Sequence, residues 1–225
     1  MSIQENINKI LQNIEEAKIL APFPEPVTLV AVTKFQDVEK LRELRKTGQC
    51  IFGENRVQEL LTKVEPLRDE NITWHVIGHL QTNKVRQIID EVSMIHSLDR
   101  LSLAEEIEKR ASAREKVIEV LIQVNIADEE QKFGMSKEEV PVFLEKMQDF
   151  PHLKVMGLML IAPNYENKEA VRPIFKEMYT LFSEMKEKKL SHVEMKYLSM
   201  GMSGDYRIAV EEGANMVRIG SAIFK

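Results

Sequence analysis

Short apolar runs alternate along the chain with charged stretches in which apolar residues recur every three or four positions. The runs fall at residues 27–34, 49–54, 73–80, 93–98, 117–125, 154–161, 196–200 and 215–224 and are rich in Val, Ile and Leu. Unbroken apolar runs are what parallel strands covered on both faces look like. Their first residues lie 19 to 42 apart, which fits one strand-plus-helix unit per repeat. Between them, Val38, Leu41 and Leu44 predict a helix that starts after Asp37 as N-cap and stops at Gly48. Leu101, Ala104, Ile107 and Ala111 predict a second. Ser136 and Glu139 form an S-x-x-E capping box before the Val140, Phe143, Leu144 and Met147 stripe. Ile174, Met178, Leu181 and Met185 mark another helix, and Ile7, Ile10, Leu11 and Ile14 one before the first strand. Pro22, Pro24 and Pro26 read as a helix stop and strand entry.

Eight strands alternating with helices predict an α/β fold: one (β/α)₈ TIM-like barrel domain spanning residues 1–225. A doubly wound open sheet, commonly of five or six strands, is the alternative. The last run reaches almost to Lys225 and leaves no room for an eighth outer helix. The N-terminal helix is expected to cover that gap.

Composition narrows the function classes. Basic and acidic side chains number 31 and 36, a net charge of −5, so no global pull toward nucleic acid or anionic membrane is expected. No apolar stretch reaches membrane-spanning length, and the N-terminus does not read as a signal peptide. The single cysteine, Cys50, can build neither an internal disulfide nor a cysteine zinc cluster, and it reads as core. None of His75, His79, His96, His152 and His192 forms a helical H-x-x-x-H pair, so no metal is expected. The expectation is a cytoplasmic monomer.

Function in such a barrel collects where strands end. The first run ends in Lys34, which at a barrel mouth would be partly desolvated and so favoured as a neutral, nucleophilic amine; the other reading is a lysine reaching out to water. The loops after the seventh and eighth runs carry Gly/Ser turns, SMGMSGDY and RIGS, in the positions where this barrel class binds phosphate. Arg218, between Val217 and Ile219, needs a partner. It is either paired with a barrel carboxylate or a donor to a ligand ring nitrogen. Asn55, His79, Ser97 with Asp99, and Asn125 complete the rim.

The segments VAVTK, FGENRVQE, WHVIGHLQTNK, QVNIADEEQKFG, GLMLI and LSMGMSGDY…EEGANMVRIGSAIF resemble, in order and over almost the whole chain, the pyridoxal phosphate homeostasis protein family (the YggS/PROSC type). That family is similar to the isolated barrel domain of alanine racemase, a fold-type III pyridoxal-phosphate barrel. The resemblance implies that Lys34 holds pyridoxal 5′-phosphate as a covalent aldimine and that Asn55 lies near the ring. Ser199, Gly201, Met202, Ser203, Gly220 and Ser221 match the phosphate-binding turns, and Arg218 matches the arginine facing the pyridine nitrogen. An arginine there disfavours a protonated ring and weakens it as an electron sink. Related chains run several residues beyond the last strand, and they often carry more basic or proline-containing sequence where Phe35 and Gln36 stand here.

Three functions follow. The first is reversible binding, buffering or delivery of the cofactor, with apo-enzymes as recipients and no catalysis of its own. The second is a weak amino acid racemase. Racemases of this fold draw a second base from an added β domain, for which this chain has no residues, and Tyr165, Tyr179, Tyr197 and Tyr206 do not read as mouth residues. The third, a Schiff-base aldolase acting on a sugar phosphate, explains a lysine and a phosphate cup but not Arg218.

Overall fold

The computed structural model describes residues 2–22, 26–127 and 133–225. Pro24 and residues 128–132 of the QVNIADEEQKFG segment therefore lie outside the described residues. The strands are β1 Thr28–Val32, β2 Ile51–Glu54, β3 Thr73–Val76, β4 Met94–Leu98, β5 Ile118–Val124, β6 Leu153–Leu160, β7 Val193–Ser199 and β8 Met216–Ile219. Each pairs in parallel with the next, and β8 returns to β1 through Thr28↔Met216 to Ala31↔Ile219. That last pairing closes the barrel and excludes the open sheet.

Among the described residues the helices are α1 Ile3–Lys18, α2 Val38–Lys46, α3 Val57–Val64, α4 Val85–Ile88, α5 Leu101–Ser112, α6 Val140–Lys146, α7 Arg172–Glu187, α8 Tyr206–Glu211 and α9 Ser221–Phe224. None is long and apolar enough to cross a membrane. Asp37 caps α2 through the Lys40 amide, and Gly48 takes a left-handed φ of 92° just past the helix end. At Ser136 only half of the capping box forms. The Glu139 carboxylate accepts from the Ser136 amide at 2.8 Å, and the Ser136 hydroxyl also turns to it at 2.9 Å.

Two apolar layers follow from strand alternation. Residues such as Leu29, Ala31, Phe52 and Ile219 point outward and pack under the helices. Val30, Val32, Ile77, Met94, Leu121 and Met216 point inward and help fill the barrel centre. On β8 the run at 215–224 is shorter as a strand than its composition suggests. Gly220, with φ −124° and ψ −74°, leaves extended geometry, and Ser221–Phe224 wind into one helical turn. On β7 the strand starts earlier, at Val193, because Val193 pairs with Val155 although Glu194 and Lys196 are exposed.

The N-terminal helix closes the gap as expected. Ser2 and Glu5 form a complete capping box, and Ile3, Ile7, Ile10 and Ile14 turn one buried face toward the barrel. Asn6 Nδ2 donates to the carbonyls of Ile223 and Lys225 at 2.9 and 3.0 Å, supplying donors to the end of α9. Asn13 Nδ2 donates to the Tyr206 hydroxyl at 2.8 Å, tying α1 to α8.

Candidate functional site at the barrel mouth

On four strands the inward column leads past the strand to a residue at the mouth. On β1, Val30 and Val32 lead to Lys34; on β2, Ile51 and Gly53 lead to Asn55; on β7, Tyr197 and Ser199 lead to Gly201; on β8, Met216 and Arg218 lead to Gly220. The strand ends thus bring the sequence-predicted residues to one end of the barrel. Gly220 lies directly against β1: a Cβ there would come 3.0 Å from the Val32 carbonyl oxygen.

Lys34 itself is exposed, with its ammonium 5.9 Å from the centre of the Phe35 ring. The desolvation expected for a strand-end lysine is absent because the ladder stops at Val32 and the chain turns through Phe35 at a φ of 64°. Beneath the turn lies a buried ion pair that sequence reasoning missed. Glu54 Oε1 accepts from Lys63 Nζ and from the Thr33 hydroxyl, both at 2.6 Å, and Lys63 Nζ also donates to the Thr33 carbonyl at 2.8 Å. This cluster fixes the residue that precedes Lys34.

The β7 and β8 turns form a cup of backbone donors. Gly201 has a φ of 92°, and a Cβ on it would sit 2.6 Å from the Ala209 Cβ, so only glycine lets the turn fold onto α8. The Met202 amide donates to Asp205 Oδ1 at 2.6 Å. The amides of Gly220 and Ala222 both donate to the Ser203 hydroxyl oxygen at 3.3 Å. Burial pushes the Asp205 carboxyl up, opposed by the Met202 amide and by the charges of Arg218 and Lys168. Ser221 is exposed beside the cup, and the Met202 side chain lies on the rim.

Arg218 is buried. Its guanidinium donates to the Ser199 hydroxyl at 2.6 Å and to the Leu160 carbonyl at 2.7 Å, so its direct partners are neutral rather than a carboxylate. Burial pulls it down to about 10, and Asp205 acts on it from a distance in the other direction. The Ser199 hydroxyl is therefore engaged with Arg218 inside the barrel, below the cup. Behind it stand His96, at 3.3 Å from Ser199, and His75, at 3.0 Å from His96. Both histidines lie on inward columns, a position that strand alternation could have given, but their meeting depends on the closed barrel.

Burial lowers His75 to about 4 from an ordinary 6.5 and holds His96 well below its usual range. The unfolded chain therefore binds protons between pH 6.5 and 4 that the folded chain refuses, and stability falls as the pH falls through that window. The His75 shift alone amounts to about 3 kcal/mol. Denaturant titrations at stepped pH are expected to show this loss, and a flat profile across the window would contradict neutral burial.

The remaining rim residues are structural in this conformation. Ser97 donates to the Gly78 carbonyl at 2.7 Å. His79 stacks on Phe133 at 3.8 Å and faces Asp99 at 3.4 Å, while Asp99 pairs with Arg100. The Asn125 amide donates to the Met135 carbonyl at 2.9 Å. Tyr165 departs from its expected place: it is exposed in the loop after β6, on the mouth side. Among the described residues no group of three His, Cys, Asp or Glu side chains is arranged to hold a metal ion.

The sequence matches the alanine racemase N-terminal domain family over residues 6–225. It is 43% identical, over the whole chain and 98% of the relative, to a pyridoxal phosphate homeostasis protein of Aquifex aeolicus. A protein of the same name from Pasteurella multocida is 37% identical over the whole chain and 97% of its own length. Among solved structures, PipY of Synechococcus elongatus with PLP bound superposes with a TM-score of 0.87 at 30% identity, both chains fully covered. Alanine racemase of Corynebacterium glutamicum shares the fold at a TM-score of 0.67 and 16% identity, with 96% of this chain matching 60% of that one.

Proposed function

The chain belongs to the pyridoxal phosphate homeostasis protein family, built on the alanine racemase N-terminal domain, and we propose that it binds pyridoxal 5′-phosphate reversibly through Lys34 to buffer or deliver it. The observation that carries this reading is the convergence of the Gly220 and Ala222 amides on the Ser203 hydroxyl beside β1, where the β8 turn meets the β7 turn. The residues fit the group. Gly201 and Gly220 let the two turns close tightly on α8 and β1, and the Gly220 and Ala222 amides bring backbone donors together at the mouth.

Pyridoxal phosphate brings an aldehyde, an electron-drawing pyridine ring and a phosphate. In this reading Lys34 would supply the amine that condenses with the aldehyde, whose oxygen would leave as water, and Asn55 would lie beside the ring. Gly201, Met202, Ser203, Gly220 and Ser221 hold the phosphate. Ser199, whose hydroxyl is already committed, serves the site by holding Arg218, and Arg218 faces the ring nitrogen. Residues 1–225 act as one cofactor-binding domain, as a cytoplasmic monomer, with apo-enzymes as the recipients. The test is an absorption spectrum of the purified protein with added pyridoxal phosphate, before and after borohydride, followed by transfer to an added apo-enzyme. A protein that gains no visible band and no fixed label overturns the reading.

Arg218→Glu is expected to favour the protonated ring, because a carboxylate replaces a cation opposite its nitrogen. The pH titration of the bound cofactor's absorption should move upward. Affinity should fall only moderately, because charge-assisted hydrogen bonds from the phosphate turns, about 1.5–3 kcal/mol each, remain. An unchanged titration would place Arg218 away from the ring nitrogen.

The loaded protein is expected to leave L-alanine and L-serine unchanged. Racemisation needs a proton removed from one face and returned on the other, and each positioned acid or base is worth about 10²–10⁴-fold. Lys34 could serve one face. Of the tyrosines, Tyr206 is tied to Asn13, Tyr197 lies beside the Lys196 ammonium within β7, and Tyr165, on the mouth side, stands exposed in the loop after β6. Robust racemase or transaminase turnover that disappears in Lys34→Ala would favour an enzyme instead.

A further inference from the structure

Arg218, Ser199, His96 and His75 form one hydrogen-bonded chain across the barrel interior, from β8 through β7 and β4 to β3. Its proton order follows from what each group can do. A guanidinium only donates, so the Ser199 oxygen accepts from Arg218 at 2.6 Å and keeps its own proton to give. The acceptor in reach is His96 Nδ1 at 3.3 Å. His96 then carries its proton on Nε2, which donates to His75 Nδ1 at 3.0 Å. The reverse order would make the Ser199 oxygen accept twice and strand the proton of a fully buried hydroxyl. Only the first order uses every one of these groups once, and it requires both rings to be neutral.

We propose that His96, oriented by His75, is a positioning residue for Arg218: by taking the Ser199 proton it keeps the Ser199 oxygen turned toward the guanidinium and holds Arg218 in place under the cofactor ring. The inference rests on the cofactor reading above for its consequence, but its hydrogen-bond order belongs to the chain alone. Burial keeps both imidazoles uncharged at neutral pH, and the Arg218 charge further disfavours a proton on His96. The other charged group acting on Arg218 is Asp205, at the start of α8. Loss of the His96 acceptor would free the Ser199 hydroxyl to rotate and its oxygen to turn from Arg218. A loosened Arg218 opposes ring protonation less, so the ring nitrogen of bound cofactor would hold its proton to higher pH.

Two measurements test this. Nitrogen NMR of the histidine rings in the protein without cofactor should show His75 and His96 both protonated at Nε2 and bare at Nδ1. A proton on Nδ1 of either ring overturns the proposal, whether or not pyridoxal phosphate binds. In protein loaded with pyridoxal phosphate, His96→Leu should raise the midpoint of the absorption titration by about one pH unit, a tenfold change in proton affinity. His96→Asn, whose Oδ1 can stand in for Nδ1, should return close to the parent value. Ser199→Ala should move the midpoint the same way and serves where His96→Leu does not fold. Met94→Leu, two residues earlier on the same inward column, should leave the titration in place. Unchanged midpoints in both His96→Leu and Ser199→Ala, or an equal shift in Met94→Leu, overturn the positioning role. A parent protein that takes up no pyridoxal phosphate ends the cofactor reading instead, and the nitrogen spectra still decide the hydrogen-bond order.

Discussion

Lys34→Ala is expected to abolish covalent capture of pyridoxal phosphate completely while leaving the fold unchanged. The amine is the reacting group, so its loss removes the bond rather than weakening it. The side chain is exposed just past the end of β1, and truncating such a residue shifts stability by only about 0.5 kcal/mol. Residual reversible binding should persist, because the amides of Met202, Gly220 and Ala222 do not depend on Lys34. Borohydride reduction followed by peptide mapping checks the assignment. Lys168 is the alternative amine to examine, since its Nζ lies 3.7 Å from the position of a Cβ on Gly204 in the phosphate turn. A label on Lys168 in the parent protein, with none on Lys34, would reassign the attachment site.

Lys63→Ala is expected to cost about 3–5 kcal/mol of folding stability, the penalty for leaving a buried charge without its partner. Glu54 is fully buried, and its Oε2 has no hydrogen-bond partner even with Lys63 in place. Without Lys63, the carboxylate would retain the Thr33 hydroxyl at 2.6 Å, and the Thr33 carbonyl would lose its ammonium donor. The double variant Lys63→Met with Glu54→Gln should recover much of the loss, since no charge remains to be solvated. Chemical denaturation of Lys63→Met, Glu54→Gln and the double variant measures the coupling. A loss below about 1 kcal/mol in Lys63→Ala is the value of an exposed pair and would contradict the buried geometry. Because Thr33 directly precedes Lys34, the single variant should also slow covalent capture at Lys34.

The gathering of the candidate site at one end of the barrel was legible from the order of residues. Lys34, Asn55 and the two Gly/Ser turns stand at the ends of apolar runs, and parallel barrels bring such ends together. Alternation also puts Met216, Arg218 and Gly220 on one side of β8, as it puts Val30, Val32 and Lys34 on one side of β1. Boundaries were less legible. Composition alone extends the first run to Lys34 and the last to Phe224, whereas the ladders stop at Val32 and Ile219. A strand ends where its hydrogen-bonding neighbour ends, and that neighbour is distant in sequence.

Partners were not legible at all. Arg218 read equally well as half of an ion pair or as a ligand contact, and its direct partners are the hydroxyl of Ser199, on β7, and the carbonyl of Leu160, on β6. Ser199 read as part of a phosphate turn, yet its inward direction at the end of β7 gives its hydroxyl to Arg218. Glu54 and Lys63 look like ordinary charged residues nine positions apart, and only the packing of α3 over β2 makes them a dry ion pair. The sequence by itself determined the repeating strand and helix pattern and which reactive residue types stand at the ends of the apolar runs, because these depend on local periodicity and residue type. Tertiary structure alone decided which strand meets which, where Lys34 leaves the sheet, and that His75, His96, Ser199 and Arg218 stand within hydrogen-bonding distance in one row, because each of those depends on distances set by closing eight strands into a ring.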